Sequence, residues 1–425
     1  MDVVVQKYGG SSLHGENRLR NVARRVALAH FRGERIVVVV SARGDTTDRL
    51  LDLAGHVGGP ECHIKAGRET DQLLATGECV SAALLALALE RMRVPATSLT
   101  GPQAGIRVTG RHRAGVIDQV ETRRITGLLD EGRVVVVGGF QGVNDAGDVV
   151  TLGRGGSDTT AVALAAALEA DRCEIFTDVD GVYSADPRIV ASARRLSRVN
   201  VGVMAEMAFA GATVLHPRSV ELAAFKGVEL HVRSSLRQSE GTVVAGGVDM
   251  RLLETDSAVS AITCDLDVAR VLVRSTTGGD LAAEVLGILA RHAVPVDLVA
   301  RSGPHEEEFR MGFTIRHSDV EEIRPALEAA AARSGGEARM DTDVAKVSVI
   351  GMGLLNRPEY VARMTTALAV ASIPTSWVSC TQLRASATVP RSDHEEALRA
   401  LHKEFESEIS SDDDLSTDEN TGEQG

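Results

Sequence analysis

The chain has only five cysteines in 425 residues, at 62, 79, 173, 264 and 380, and no C-x-x-C pair. Scattered thiols of this kind exclude a disulfide framework and a cysteine zinc site, and point to a reduced, cytoplasmic compartment. The 12 histidines show neither H-x3-H nor H-E-x-x-H spacing, which argues against a metalloenzyme, and no metal-ligating residue is assigned. No apolar run approaches the ~18 residues of a membrane span, and Met1-Asp2 leads into VVVQ without a basic n-region and cleavage site. Neither a membrane nor export is expected. An excess of basic residues is missing too: the formal net charge is −13, and nothing suggests a nucleic-acid partner. That charge is unevenly spread. Residues 406–425, ESEISSDDDLSTDENTGEQG, hold eight acidic residues and no Lys or Arg, leaving −5 on the 405 residues before them. This tail lacks the apolar content to fold and is expected to be disordered and solvated.

The length suits two or three domains with real cores. The first 240 residues alternate short β runs (DVVVQKY, RIVVVV, RVVVVGG, EIFTDVD) with helical patterns such as ENRLRNVARRVALAHF. This is the signature of an α/β fold with an open, largely parallel sheet and helices on both faces. Each of these β runs ends in a Gly/Ser/Thr/Asp loop, at the end of the strand where open α/β sheets bind ligands. The pattern breaks around GTVVAGG, and 241–260 is expected to be a linker. Beyond it, 261–342 and 343–405 each read as a βαββαβ unit, an internal duplication with a period of about 75 residues. Each copy resembles an ACT domain, a small α+β module that commonly binds an amino acid at a paired interface.

Residues 150–168, VTLGRGGSDTTAVALAAAL, place an arginine and an aspartate in a glycine loop that opens a helix. Glycines let backbone approach a ligand, and a helix start favours an anion. The loop matches neither a Walker A motif nor G-x-G-x-x-G, so by itself it fits a tight turn as well as an anion site.

Eight motifs in order resolve that ambiguity: KYGGSS (7–12), SARGDTTD (41–48), GRETDQLLATGECVSAALL (67–85), SLTGPQAG (98–105), GFQGV (139–143), TLGRGGSDTTAVALAAAL (151–168), TDVDGVYSADPR (177–188) and ATVLHPRSVELA (212–223). Together they resemble the aspartate kinase family, the aspartokinase branch of the amino-acid kinases, up to about residue 405. The resemblance implies a catalytic domain over 1–240 that transfers the γ-phosphoryl of ATP, with Mg2+ held mainly through the nucleotide phosphates, to the β-carboxylate of L-aspartate. Such a reaction needs no general base, because the nucleophile is already an anion; it needs fixed cations and N–H donors where charge builds up. By resemblance, Lys7 contacts the γ-phosphoryl, and Gly9, Gly10 and Ser11 cradle phosphate. Ser41, Thr47, Glu78, Arg154 and Ser157 meet the substrate, Glu78 its ammonium and Arg154 its α-carboxylate in fork geometry. Asp158 orients Lys7 from the helix start, where an N-cap role can coexist. Thr177, Asp178, Tyr183, Asp186 and Arg188 match the nucleotide loop. The paired ACT-like edges imply a homodimer or larger assembly, with a possible amino-acid effector.

The chain departs from the family at three places. Thr213 stands in GATVLHP where a phosphate-neutralising lysine is usual, and Arg43, unusual in SARG, is a candidate to compensate. The loop STTGGD with Arg301, and the segments RPEYV and VSCTQ, replace the polar groups that bind feedback lysine and threonine in the family, so weak or altered feedback is expected. His216-Pro217 is read as an element boundary and Trp377 as packing. Two other readings stay open: a kinase of another amino-acid carboxylate, and a non-catalytic amino-acid sensor built on the ACT pair.

Overall fold

Valine-rich runs with both faces buried, the mark of interior parallel strands, build the frame of the first unit. In chain order its strands are β1 (Val3–Tyr8), β2 (Arg35–Val40), β3 (Ala96–Leu99), β4 (Ile106–Thr109), β5 (Val116–Val120), β6 (Val134–Gly138), β7 (Gln141–Val143), β8 (Val149–Thr151), β9 (Arg172–Thr177), β10 (Arg198–Asn200), β11 (Leu230–Ser234) and β12 (Thr242–Ala245). Its helices are α1 (Gly10–Leu13), α2 (Gly15–Phe31), α3 (Thr46–Gly58), α4 (Gly67–Arg91), α5 (Arg123–Asp130), α6 (Gly156–Ala167), α7 (Val201–Phe209) and α8 (Pro217–Lys226). The computed structural model describes residues 3–59, 66–246, 259–275, 281–302 and 308–409.

Eight strands form one sheet in the order β10-β12-β11-β9-β1-β2-β6-β3. The six from β11 to β3 run parallel, and β12 turns antiparallel against β11. Strand alternation sorts side chains onto two faces. Tyr8, Ile36, Val38, Val40, Val134, Val136 and Phe176 pack with Val22 and Val26 of α2 and Leu85 and Leu89 of α4. The opposite face carries Lys7, which reaches α6. A smaller sheet, β5-β4-β7-β8, leads into the glycine loop before α6. By length and apolarity α4 could cross a membrane, contrary to the expectation that no stretch approaches a span. Its buried face carries Asp71 and Glu78 and packs inside the unit, as a core helix does.

The second unit is Tyr183–Arg194, Phe209–Ala212 and Leu253–Gly425. It holds two four-stranded antiparallel sheets. The first is β17-β14-β16-β15, with β14 (Ala269–Ser275), β15 (Asp297–Arg301), β16 (Phe309–Ile315) and β17 (Glu337–Asp341). With α9 (Leu281–His292) and α10 (Val320–Arg333) it completes a βαββαβ unit. The second sheet runs β13-β18-β20-β19, built from β13 (Val259–Asp265), β18 (Val344–Gly351), β19 (Val378–Cys380) and β20 (Arg384–Pro390). Here β13 holds the place that β17 holds in the first. The duplication is therefore nested rather than tandem, because the edge strand of the second copy comes from upstream of the first.

Four boundaries differ from the sequence reading. β12, expected in a 241–260 linker, is bonded into the large sheet, and β13 starts at Val259 rather than beyond 260. Within 1–240, the segments Tyr183–Arg194 and Phe209–Ala212 belong to the second unit, because Ala185 and Val190 are part of its core. Ordered structure continues past 405, where the tail was expected to start. Residues 406–409 form a helical turn beyond α12 (His394–Glu404), which follows α11 (Pro358–Val370). Ile409 is buried in the core and Glu408 pairs with Arg363; 410–425 lie outside the described residues.

At the junction of the two sheets, buried Arg384 grips Asp297 with two 3.0 Å hydrogen bonds, and buried Lys346 joins at 3.1 Å. Burial pushes the Asp297 carboxyl up, but these cations more than offset it and hold it below the usual range. Trp377 lies over Gly312, where a Cβ would come within 2.9 Å of its ring, the packing role expected. Arg301 is exposed, with its guanidinium over the Phe309 ring at 5.8 Å. Residues 276–280 of the STTGGD loop lie outside the described residues.

Candidate active site

The strand ends of β1, β2, β6 and β9 gather most of the expected residues. Lys7, one from the end of β1, sends its ammonium through the face opposite α2 to Asp158 of α6, 2.5 Å away. Both side chains are mostly buried, and Asp158 Oδ1 meets the ammonium as an ion pair rather than in hydrogen-bond geometry. The chain then turns through Gly9 and Gly10. A Cβ on Gly10 would stand 2.6 Å from the Ala42 carbonyl oxygen, so only glycine lets this turn close on the loop after β2. Gly9 N–H donates to Phe176 O at 3.5 Å. The amides of Gly10 and Ser11, at the first two positions of α1, have no acceptor within that helix.

Glu78 approaches from α4. Gly77 makes room, since a Cβ there would lie 2.9 Å from Ala42 Cβ and 3.4 Å from Thr46 Cγ2. Glu78 Oε1 accepts a 2.9 Å hydrogen bond from Ala42 N–H, whereas Oε2 is buried without a partner. Burial raises the Glu78 pKa from 4.5 to about 7. A half-satisfied buried carboxylate is costly unless a cation completes it. Ser41 continues β2, its N–H donating to Tyr8 O at 3.1 Å. Thr47 is half-buried in the first turn of α3. Arg43 lies beside them, with Nε donating to Leu13 O at 3.1 Å.

The glycine loop 153–156 turns the chain from β8 into α6. Gly153 and Gly155 have φ of +75° and +69°, the left-handed region that favours glycine. Gly155 is the N-cap, with no side-chain cap bond, and Asp158 is the third helical residue. The N-cap role expected for Asp158 thus falls to Gly155, and the Asp158 carboxylate serves Lys7 instead. Ser157 is buried against Gly139, whose Cβ would come 3.0 Å from Ser157 Oγ, and Gly138 abuts Glu78. The pair Gly138-Gly139 at the end of β6 thereby lets α4 and α6 approach one strand end together. Arg154 is exposed and has no hydrogen bond or ion pair among the described residues.

Two residues that frame this loop were not assigned from the sequence. Asp71, fully buried, accepts from Thr151 N–H, Thr151 Oγ and Arg113 N–H at 3.1, 2.6 and 3.0 Å, and meets His112 Nδ1 at 2.8 Å. It ties β8 to the turn after β4, and its signal was the last letter of RETD. Phe140 adopts φ +69°, rare for a bulky residue and typical of functional sites. Its carbonyl accepts from Leu152 N–H at 2.9 Å.

Of the expected nucleotide residues, Thr177 ends β9 next to β1, and its hydroxyl donates to Asp178 at 3.1 Å. Tyr183, Asp186 and Arg188 lie in the segment Tyr183–Arg194 of the second unit. There Arg188 bonds both oxygens of Asp186 and, by that hydrogen bonding, lowers its pKa. Thr213 is exposed.

The sequence pattern of the amino acid kinase family matches residues 2–234, and that of an ACT domain matches 347–405. The chain is 43% identical to an aspartokinase of Thermus thermophilus over 409 residues, covering 96% of this chain and 99% of that one. The chain belongs to the aspartokinase family. Its fold is that of E. coli aspartokinase III, solved in complex with aspartate and ADP, with a TM-score of 0.77 at 24% identity over 95% of this chain and 99% of that one. The same enzyme in complex with lysine and aspartate matches with a TM-score of 0.70 at 25% identity and the same coverage. Within this aspartokinase frame, the strand-end cluster of Lys7, Glu78 and Asp158 lies in the part matched by the kinase pattern.

Proposed function

We propose that the chain is an aspartate kinase that transfers the γ-phosphoryl of ATP to the β-carboxylate of L-aspartate, giving 4-phospho-L-aspartate. Two observations support this reading, a half-satisfied carboxylate at the strand ends and a guanidinium in the glycine loop that opens α6. Glu78 is a buried carboxylate with an unsatisfied oxygen, suited to the substrate ammonium. Arg154 is a guanidinium without a partner among the described residues, suited to the α-carboxylate in fork geometry. Ser41, Thr47 and Ser157 complete the substrate contacts.

Lys7 neutralises charge on the transferring phosphoryl, and Asp158 fixes the direction of its ammonium. The amides of Gly10 and Ser11 receive phosphate oxygens. Thr177, Asp178, Tyr183, Asp186 and Arg188 hold the nucleotide. The magnesium ion would be held mainly through the nucleotide phosphates. When bound it supplies charge neutralisation at the phosphates. The ACT-like units bind an amino-acid effector with feedback weaker than is usual in the family, and the chain works as a homodimer or larger homo-oligomer in the cytoplasm.

Trapping the acyl phosphate with hydroxylamine tests the reading. Aspartate hydroxamate should form with ATP and L-aspartate, and L-glutamate should not substitute.

A further inference from the structure

The loop that carries Arg154 rests at two points on one short segment, His216–Arg218, at the start of α8. Arg218 Nη1 donates to Leu152 O at 2.6 Å and Nη2 to Gly115 O at 3.1 Å. A guanidinium spent on two backbone carbonyls acts as a tether for main chain. Burial lowers the Arg218 pKa, opposed by the charge of Glu221. At the other end of the loop, a Cβ on Gly155 would fall 2.0 Å from Cγ and 2.4 Å from Cδ2 of His216. The imidazole therefore occupies the space where a side chain would stand, and Gly155 Cα rests directly on it. His216 Nδ1 accepts from Arg218 N–H at 3.3 Å, so the ring is oriented by the same turn.

We propose that His216 and Arg218 are positioning residues for substrate recognition: together they brace Leu152 and Gly155 on either side of Arg154 and set its approach to the α-carboxylate of the amino acid. The inference rests on the assignment of Arg154 given above. It makes the H-P-R turn part of the aspartate site, acting through backbone rather than by touching substrate.

The test is a double-mutant cycle on the full-length chain, reading KM for aspartate and for ATP. Arg154→Met alone should raise KM for aspartate at least tenfold. Arg218→Met should raise it fivefold or more while KM for ATP stays within twofold. In the Arg154→Met background, Arg218→Met should add less than a twofold change. Effects that multiply in the double variant overturn the brace while leaving Arg154 intact. An unchanged KM in Arg154→Met sinks the assignment of Arg154 itself, and with it the role given to His216 and Arg218. Should Arg218→Met fail to fold, His216→Gly carries the test. It should raise KM for aspartate threefold or more while KM for ATP stays within twofold, and add less than a twofold change in the Arg154→Met background. An unchanged KM for aspartate, or effects that multiply, refutes the brace.

Discussion

Changing Glu78 to Gln removes the charge of a buried carboxylate while keeping its acceptor for Ala42 N–H. Burial lifts the Glu78 pKa from 4.5 to about 7. At about 1.4 kcal/mol per pH unit, ionising this group in the unliganded fold costs about 3 kcal/mol. In the unfolded chain the carboxyl ionises near its ordinary value, so between the two pKa values the folded state holds the extra proton. Stability must therefore fall as pH rises through that window and level off above about 7. The glutamine variant lacks this dependence. Denaturant unfolding of both proteins without ligand, from pH 5 to pH 8, should show Glu78→Gln gaining on wild type to a limit of about 3 kcal/mol. The substrate ammonium drives Glu78 to ionise, so aspartate binding at pH 7 should release about half a proton, measured by calorimetry in two buffers. The variant should release none, and its KM for aspartate should rise by the about 1.5–3 kcal/mol of a charge-assisted contact, roughly tenfold to 150-fold. A stability gap that does not change with pH, with no proton released, refutes the reasoning.

Thr213→Lys should restore a phosphate contact and lower KM for ATP by roughly tenfold or more. Arg43→Met should raise the same constant, and an unchanged value would remove Arg43 from any compensating role. Asp297→Ala removes the carboxylate that buried Arg384 and Lys346 share, Lys346 keeping Asp265 at 3.9 Å, which should cost about 3 kcal/mol in thermal unfolding of the second unit. In wild type, the stability Asp297 contributes through its lowered pKa is present at neutral pH and is lost as pH falls below about 4. Millimolar lysine plus threonine should remove less than half of the activity; stronger inhibition contradicts weakened feedback.

Local chemistry was legible in the sequence wherever it decides structure. Valine runs gave the central parallel strands, and the glycine pairs at 9–10 and 138–139 marked the turns where helices and loops crowd the strand ends. Lys7 and Asp158 were recognised from motifs and do meet. What escaped depends on non-local pairing. Nothing in VSAITCD says that it will pair with β18 some 85 residues on, past the whole first ACT-like unit. SADPRIV reads as a polar turn, and only the packed core shows that Ala185 and Val190 anchor it in the second unit. The motif assigns Asp158 to Lys7 and leaves room for a helix-cap role beside it. The left-handed backbone of Gly155 ends the turn first, and the carboxylate is left for the lysine. Ile409 and Glu408 draw the first residues of the acidic tail into the fold, a pull that composition averaged over 20 residues conceals.

The central claim is that fixed positive groups let two anions meet, with Lys7 the chief of them. Hydroxamate formation from ATP and L-aspartate by purified wild type and Lys7→Ala measures it most directly. The account predicts turnover in the wild type and a loss of about 100-fold or more in kcat for the variant. Equal rates in the two proteins, or no aspartate hydroxamate from either, would contradict it.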